Sequence, residues 1–214
     1  MPDKAFYHFI EKGLKTLGYN PSTALIEFFI FYTHELNRWN KVHNLTSITE
    51  EEDIAVKHFF DSLLYLKVID TRIDRLVDIG TGAGFPGIPI KAVQPGIHVT
   101  LVEPQTKKCL FLRHLLRQSE ILTDCEIINK RVEDIHLDAQ FDVAVTRALF
   151  SLKEFAEKSA RLIKPDGSMV VSKGPGVDEE LKDIHNYKLF NLKLPFTDIE
   201  RRLVVMKKEV SPSL

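Results

Sequence analysis

An apolar run around Leu76-Val77-Asp78-Ile79 carries an acid and then breaks into glycines at alternate positions, Gly80, Gly82 and Gly84, ahead of Phe85-Pro86-Gly87. Alternating glycines let the chain turn tightly after a strand and approach a ligand with no side chain in between. A second acid, Glu103, closes the apolar run Ile97-His98-Val99-Thr100-Leu101-Val102. An acid ending the second strand of a βαβ unit, roughly 20 residues past the glycines, is placed to accept hydrogen bonds from ribose hydroxyls. Asp78, the three glycines and Glu103 together read as the grip on a nucleotide-like cofactor.

The glycine spacing separates the cofactors. A dinucleotide fingerprint, G-x-G-x-x-G, uses its third glycine to bring a helix N-terminus up to a pyrophosphate. Counted from Gly80 that position is Phe85; counted from Gly82 it is Gly87, but Pro86 then removes a backbone donor from the loop. What remains is D-x-G-x-G-x-G, the form expected for S-adenosylmethionine, which has ribose and adenine but no phosphate. S-adenosylmethionine is therefore expected in preference to NAD.

These residues need a sheet to position them, and from about residue 75 strands alternate with helices, which implies parallel pairing through crossovers. Strands are expected at 75–79, 97–102, 125–129, 141–146 and 168–173, with weaker ones near 187–194 and 202–207; helices are expected at 87–94, 106–118, 151–163 and 178–185. Gly167 reads as a tight turn into the fifth strand. The first 70 residues instead carry apolar side chains at helical steps. One helix stops at Gly18, a second starts after Pro21-Ser22, and Thr49 with Glu52 forms a capping box for a third. The expected fold class is α/β: a Rossmann-like class I methyltransferase fold with a seven-stranded, mostly parallel sheet. An N-terminal helical extension (1–70) packs on a cofactor-binding domain (71–214). Ligands in such sheets sit beyond the carboxyl ends of the strands, so the loops at Gly80, Glu103, Asn129 to Glu133 and Thr146-Arg147-Ala148 should meet around one cleft.

A chain of 214 residues with net charge −1 is long enough to bury a full core and has no global basic excess. Any nucleic-acid partner must then be met by a local patch. Cys109 and Cys125 form no C-x-x-C pair and read as core thiols in a reducing compartment. The start, Met1-Pro2-Asp3-Lys4-Ala5, lacks a signal peptide, and no apolar run reaches membrane-spanning length. A cytoplasmic monomer without membrane or metal partners is expected, its tail Val210-Ser211-Pro212-Ser213-Leu214 frayed.

Four segments carry a resemblance to a known family: Trp39-Asn40-Lys41-Val42-His43-Asn44-Leu45-Thr46, His58-Phe59-Phe60-Asp61-Ser62, Asp78 through Pro89, and Thr146-Arg147-Ala148. In this order they closely resemble the RsmG family, also called GidB, the bacterial 16S ribosomal RNA guanine-N7 methyltransferases. The resemblance implies an enzyme that transfers methyl from S-adenosylmethionine to N7 of a guanine in 16S rRNA, within the 30S subunit or its assembly intermediates. It also implies that Gly80 and Phe85 line the cofactor pocket, that Val132 and Glu133 border the adenine, and that Arg147 closes the site. Glu103 falls where the family has its ribose-reading acid.

Guanine N7 carries an in-plane lone pair at neutral pH, so its attack on a sulfonium methyl needs no prior deprotonation and rests on in-line positioning. The chain accordingly shows Thr146-Arg147-Ala148-Leu149, and no N-P-P-Y or D-P-P-Y, after its fourth strand. Arg147 reads either as a fork onto the cofactor carboxylate, the guanine or a phosphate, or as a structural salt bridge. His58 and Asp61, one helical turn apart, either pair with each other or reach the substrate. Asn44, with Asn40 and Thr46, touches RNA or the methionine end of the cofactor or else serves turns and caps, and Lys173 is either on the substrate side or solvated. Lys107, Lys108, Arg113, His114 and Arg117 on one helix, with Lys130, Arg131, Arg201 and Arg202 elsewhere, are the candidate RNA cations. A methyltransferase of small molecules or proteins, and a non-catalytic ribosome-assembly factor, are the alternative readings.

Overall fold

The computed structural model describes residues 4–70, 72–147 and 149–208. The expected frayed tail, the first three residues and Ala148 lie outside them. Helix α1 (Lys4–Thr16) buries Phe6, Ile10 and Leu14 and ends ahead of Gly18. Helix α2 (Thr23–His43) starts where Ser22 accepts the Leu25 N–H on its hydroxyl, a cap worth about 1 kcal/mol. It ends at Asn44, in the left-handed region with φ 49°.

The third helical segment, α3, changes winding along its length. It is α over Glu51–Ile54, π over Ala55–Phe60, α again over Asp61–Leu63 and 3-10 over Leu64–Lys67. The capping box expected from Thr49 and Glu52 does not form. The cap residue is Glu50, one position later, with no side-chain bond, and the Thr49 carbonyl is taken by Asn37 Nδ2 at 2.9 Å.

The rest of the chain is β1 (Arg75–Ile79), α4 (Gly87–Val93), β2 (His98–Val102), α5 (Thr106–Gln118), β3 (Cys125–Ile128), β4 (Phe141–Arg147), α6 (Leu152–Ser159), β5 (Ile163–Lys173), α7 (Asp178–Leu181), β6 (Tyr187–Lys193) and β7 (Glu200–Lys207). The strands form one seven-stranded sheet in the order β3-β2-β1-β4-β5-β7-β6. Strands β1 to β5 pair in parallel, whereas β7 runs antiparallel to both β5 and β6. The expected fold class is thus the observed one.

Boundaries differ where the sheet takes over from local pattern. Strand β5 begins at Ile163, opposite Phe141, and its register then jumps to Val143 opposite Ser168. Residues 164–167 bulge out between these pairs, so Gly167 sits inside a strand and is not the turn before one. Helix α6 correspondingly stops at Ser159, because Leu162 and Ile163 are buried in the core.

Alternate strand residues face opposite sides of the sheet. Leu76, Val143, Val145, Val170 and Leu203 join one core with Phe29, Tyr32 and Phe59 of the N-terminal helices. Val77, Ile79, Ala144, Val171 and Val204 join a second core with Leu152 and Phe155 of α6 and Leu181 of α7. The strand order reverses between β1 and β4, which opens the crevice at their carboxyl ends.

Candidate active site

The glycine loop leaves β1 as a hinged strap tied to its neighbours. Gly80 and Thr81 donate their N–H groups to the Val102 carbonyl at 2.9 and 3.1 Å, and Gly82 N–H donates to Glu103 Oε2 at 2.9 Å. Glu103 therefore holds the loop, and its other oxygen accepts the Gln105 N–H at 2.9 Å. Gly82 has φ 63° and nothing within 4 Å of where a Cβ would stand, so the backbone there is open to a ligand. Leu149, from the loop after β4, packs onto Gly80.

Asp78 is fully buried beneath this loop. Its Oδ2 accepts from Thr81 Oγ1 at 2.6 Å and from Gly87 N–H at 2.7 Å, while Oδ1 has no hydrogen-bond partner among the described residues. Burial pushes the Asp78 carboxyl up to about 7 against the pull of the Thr81 and Gly87 donors. A buried acceptor with an open lone pair beside an uncovered glycine backbone suits a ligand that brings donors, as an amino-acid ammonium does. Together with Glu103 this donor and acceptor set fits S-adenosylmethionine.

Val132 and Glu133 sit on a single 3-10 turn after β3, Val132 buried and Glu133 exposed and paired with Lys158. Asn129 Nδ2 donates to the carbonyls of Glu103 and Pro104, both at 3.0 Å, and so joins this loop to the end of β2. Cys109 also reaches the end of β2, donating to the Glu103 carbonyl at 3.1 Å. Burial raises its thiol pKa, so it is no thiolate nucleophile.

On the far side of the β1–β4 crevice a cavity of about 390 Å³ is lined by Lys57, His58, Asp61, Arg147, Ser172, Lys173 and Arg201 among others. Sheet parity explains the group. Arg147 continues the face of Val143 and Val145, Ser172 that of Val170, and Arg201 that of Leu203, so all three point toward α3. Because β7 is antiparallel, its first residues lie at the same rim as the last residues of β4 and β5. Arg201, read from the sequence as a remote RNA cation, is thereby a wall of the site.

Arg147 Nη1 donates to the Lys57 carbonyl at 3.1 Å and lies 3.1 Å from His58 Nδ1. Its guanidinium is 5.3 Å from the Phe85 ring centre, in cation–π range. Asp61 bonds Arg201 Nε at 2.8 Å and stands 3.9 Å from Arg147 Nη1. Burial raises the Asp61 carboxyl pKa, and Arg201 and then Arg147 oppose that. His58 and Asp61 do not pair with each other; each serves an arginine. The two hydrogen-bond partners of Arg147 on α3, Lys57 and His58, lie in its π-wound stretch, a local widening common at functional sites.

Tyr65 holds the cavity's floor. Its hydroxyl donates to the Thr146 carbonyl at 2.5 Å and accepts the Ser172 N–H at 3.1 Å, standing between the ends of β4 and β5. Neither Tyr65 nor Ser172 was signalled by sequence pattern, because a buried helical tyrosine looks like any other core aromatic.

Of the other expected residues, Asn44 does not line the cavity, whereas Lys173 does. Asn44 is exposed at the end of α2, where its N–H donates to the Asn40 carbonyl. Lys173 is not solvated: it donates to the Phe150 carbonyl at 2.6 Å and to Glu180 at 2.9 Å. Among the candidate RNA cations, His114 is bonded to Glu35 and Arg202 to Asp178. Lys107, Lys108, Arg113, Arg117, Lys130 and Arg131 have no ion pair among the described residues.

Comparison with known proteins bears on the fold and the family. A solved S-adenosylmethionine-dependent methyltransferase from Aquifex aeolicus superposes with TM-score 0.55 at 17% identity, covering 76% of this chain and 96% of that one. The 1,6-didemethyltoxoflavin-N1-methyltransferase of Burkholderia thailandensis, solved with S-adenosylhomocysteine, superposes with TM-score 0.56 at 16% identity, covering 88% and 92%. These share the fold. Two curated proteins called ribosomal RNA small subunit methyltransferase G are much nearer in sequence. That of Geotalea uraniireducens is 38% identical over 92% of this chain and 94% of its own, and that of Carboxydothermus hydrogenoformans 37% over 93% and 92%. The profile of the GidB family, described as rRNA small subunit methyltransferase G, matches residues 25–201. The chain belongs to the rRNA small subunit methyltransferase G (GidB) family.

Proposed function

We propose that the protein transfers the methyl group of S-adenosylmethionine to N7 of a guanine in 16S rRNA, acting as a cytoplasmic monomer on the 30S subunit or its assembly intermediates. The bound cofactor supplies an electrophilic methyl on a sulfonium, with a neutral thioether as leaving group. Asp78, Gly80, Gly82, Gly84, Phe85, Glu103, Val132 and Glu133 would hold it, and Arg147 stands between them and the cavity.

The observation that carries the choice of N7 is that, among the described residues lining the cavity, His58 and Asp61, the side chains that could take a proton, each face an arginine. His58 Nδ1 faces the Arg147 guanidinium, and burial, then Arg147, hold the imidazole down to about 3. Asp61 is tied to Arg201. An exocyclic amine would need a base near neutrality, whereas N7 needs only positioning. The arginines and lysines around the cavity suit a substrate that brings phosphates.

The test uses labelled methyl transfer to 16S RNA, naked and in 30S particles, with RNA-free extract as control. Incorporation into RNA that disappears when 7-deazaguanosine replaces guanosine is the expected result. Incorporation that survives the replacement refutes N7, and incorporation only into extract protein or small molecules refutes the RNA substrate.

A further inference from the structure

Arg147 is aimed by a chain of contacts that begins in the connector after α2. An arginine nitrogen only donates, so His58 Nδ1, 3.1 Å from Arg147 Nη1, accepts, and the single proton of a neutral ring sits on Nε2. That nitrogen lies 2.9 Å from Thr46 Oγ1. Thr46 Oγ1 also accepts the Ile48 N–H at 3.1 Å, and the Thr46 N–H is held by Asn40 Oδ1 at 2.9 Å. The imidazole is held flat as well: it stacks on Phe85 at 4.4 Å and 16°, and Phe85 stacks on Tyr32 at 5.3 Å and 15°. The Nε and Nη2 groups of Arg147 have no hydrogen-bond partner among the described residues.

We infer that His58 is a positioning residue: its Nε2–H is seated on Thr46 Oγ1, its Nδ1 anchors Arg147 Nη1, and the remaining donors of the guanidinium are thereby presented to the substrate. The N-terminal helical segment is then a working part of the active site and not only a cover for the sheet. The charged groups that line the cavity with the ring are Arg147 from β4, Lys173 from β5, Lys57 and Asp61 on α3 itself and Arg201 from β7. Burial, then the Arg147 and Lys57 charges, oppose protonation of the ring, in keeping with a neutral acceptor. This inference rests on Arg147 engaging the substrate, as the proposed reaction has it.

The test compares variants of the full chain acting on the same 30S substrate. An asparagine amide reaches the place of Nδ1 and a glutamine amide that of Nε2. His58→Gln should lower kcat by about 10²-fold, since misplacing a group that orients reactants costs that much, with S-adenosylmethionine affinity within about threefold of wild type. His58→Asn should lose only about tenfold, and Thr46→Val should fall between the two. In the Arg147→Ala background His58→Gln should add little further loss, the mark of one coupled unit. Equal losses in His58→Asn and His58→Gln, or full additivity with Arg147→Ala, overturn the inference. Nitrogen-15 spectra of the ring at pH 7 provide a reading that survives misfolded variants: a protonated ring or an Nδ1–H tautomer also overturns it. If Arg147→Ala is itself fully active, the reading of Arg147 fails; if wild type methylates no RNA, the proposed function fails while the tautomer still tests the contact chain.

Discussion

Asp78 is held at the end of β1 in a state that the ligand-free fold tolerates poorly. Its carboxyl titrates near 7 in the fold against an ordinary value of 3.8, so its contribution to stability is full below about pH 4 and is lost as pH rises through 7. His58 acts in the opposite sense. Its folded value of about 3 against 6.5 means that its contribution is present above about pH 6.5 and is lost as pH falls toward 3. Asp78→Asn removes only the first slope. The urea-unfolding free energy of the ligand-free variant should therefore rise relative to wild type between pH 4 and 8, by up to about 4 kcal/mol, while its S-adenosylmethionine affinity falls. A difference that stays flat with pH would show that the buried carboxyl is not the source. Arg147→Ala should lower methyl transfer by about 10²-fold or more. Wild-type turnover from that variant would leave Arg147 as a structural salt bridge.

At the scale of elements, the site depends on two close approaches. Gly87 opens α4 directly against Asp78: a Cβ there would lie 2.5 Å from Leu101 Cδ2 and 2.9 Å from Asp78 Oδ2. Gly87→Ala should cost about 1–3 kcal/mol of stability in urea and weaken cofactor binding as Asp78 is displaced. Tyr65 is the second. Its hydroxyl satisfies one carbonyl and one N–H between β4 and β5, so Tyr65→Phe leaves both buried groups short of a partner. A destabilisation of about 1–3 kcal/mol is expected, and a neutral result would mean that the strand ends close directly on each other. The elements themselves were legible because helix and strand periods are local. The bounds of β1 and α5 match the pattern of Arg75–Ile79 and Thr106–Gln118, whereas the start of β5 was missed because its bulge is set by pairing with β4.

For the whole molecule, net charge −1 conceals a local imbalance. Lys107, Lys108, Arg113 and Arg117 on α5 and Lys130 and Arg131 after β3 are free of ion pairs among the described residues and flank the loops that carry Glu103 and Val132. RNA affinity should fall steeply with salt, and a Lys107→Ala, Lys108→Ala, Arg117→Ala triple variant should lower the slope of log Kd against log salt by about 2 to 3. An unchanged slope would place the phosphate contacts elsewhere.

The sequence by itself determined what neighbours in the chain decide. The D-x-G-x-G-x-G spacing named the cofactor, the apolar run ahead of Glu103 marked the second strand, and the apolar periods drew most of the sheet and its helices. The structure corrected the Thr49 cap and the Gly167 turn by shifts of a few residues. Only tertiary structure assembled the cavity beside Arg147, because its contacts join residues far apart in the chain. Arg147 meets His58 across 89 residues, and Arg201 meets Asp61 across 140. No local period encodes such distances; they follow from β7 running antiparallel and bringing Arg201 to the rim where β4 and β5 end.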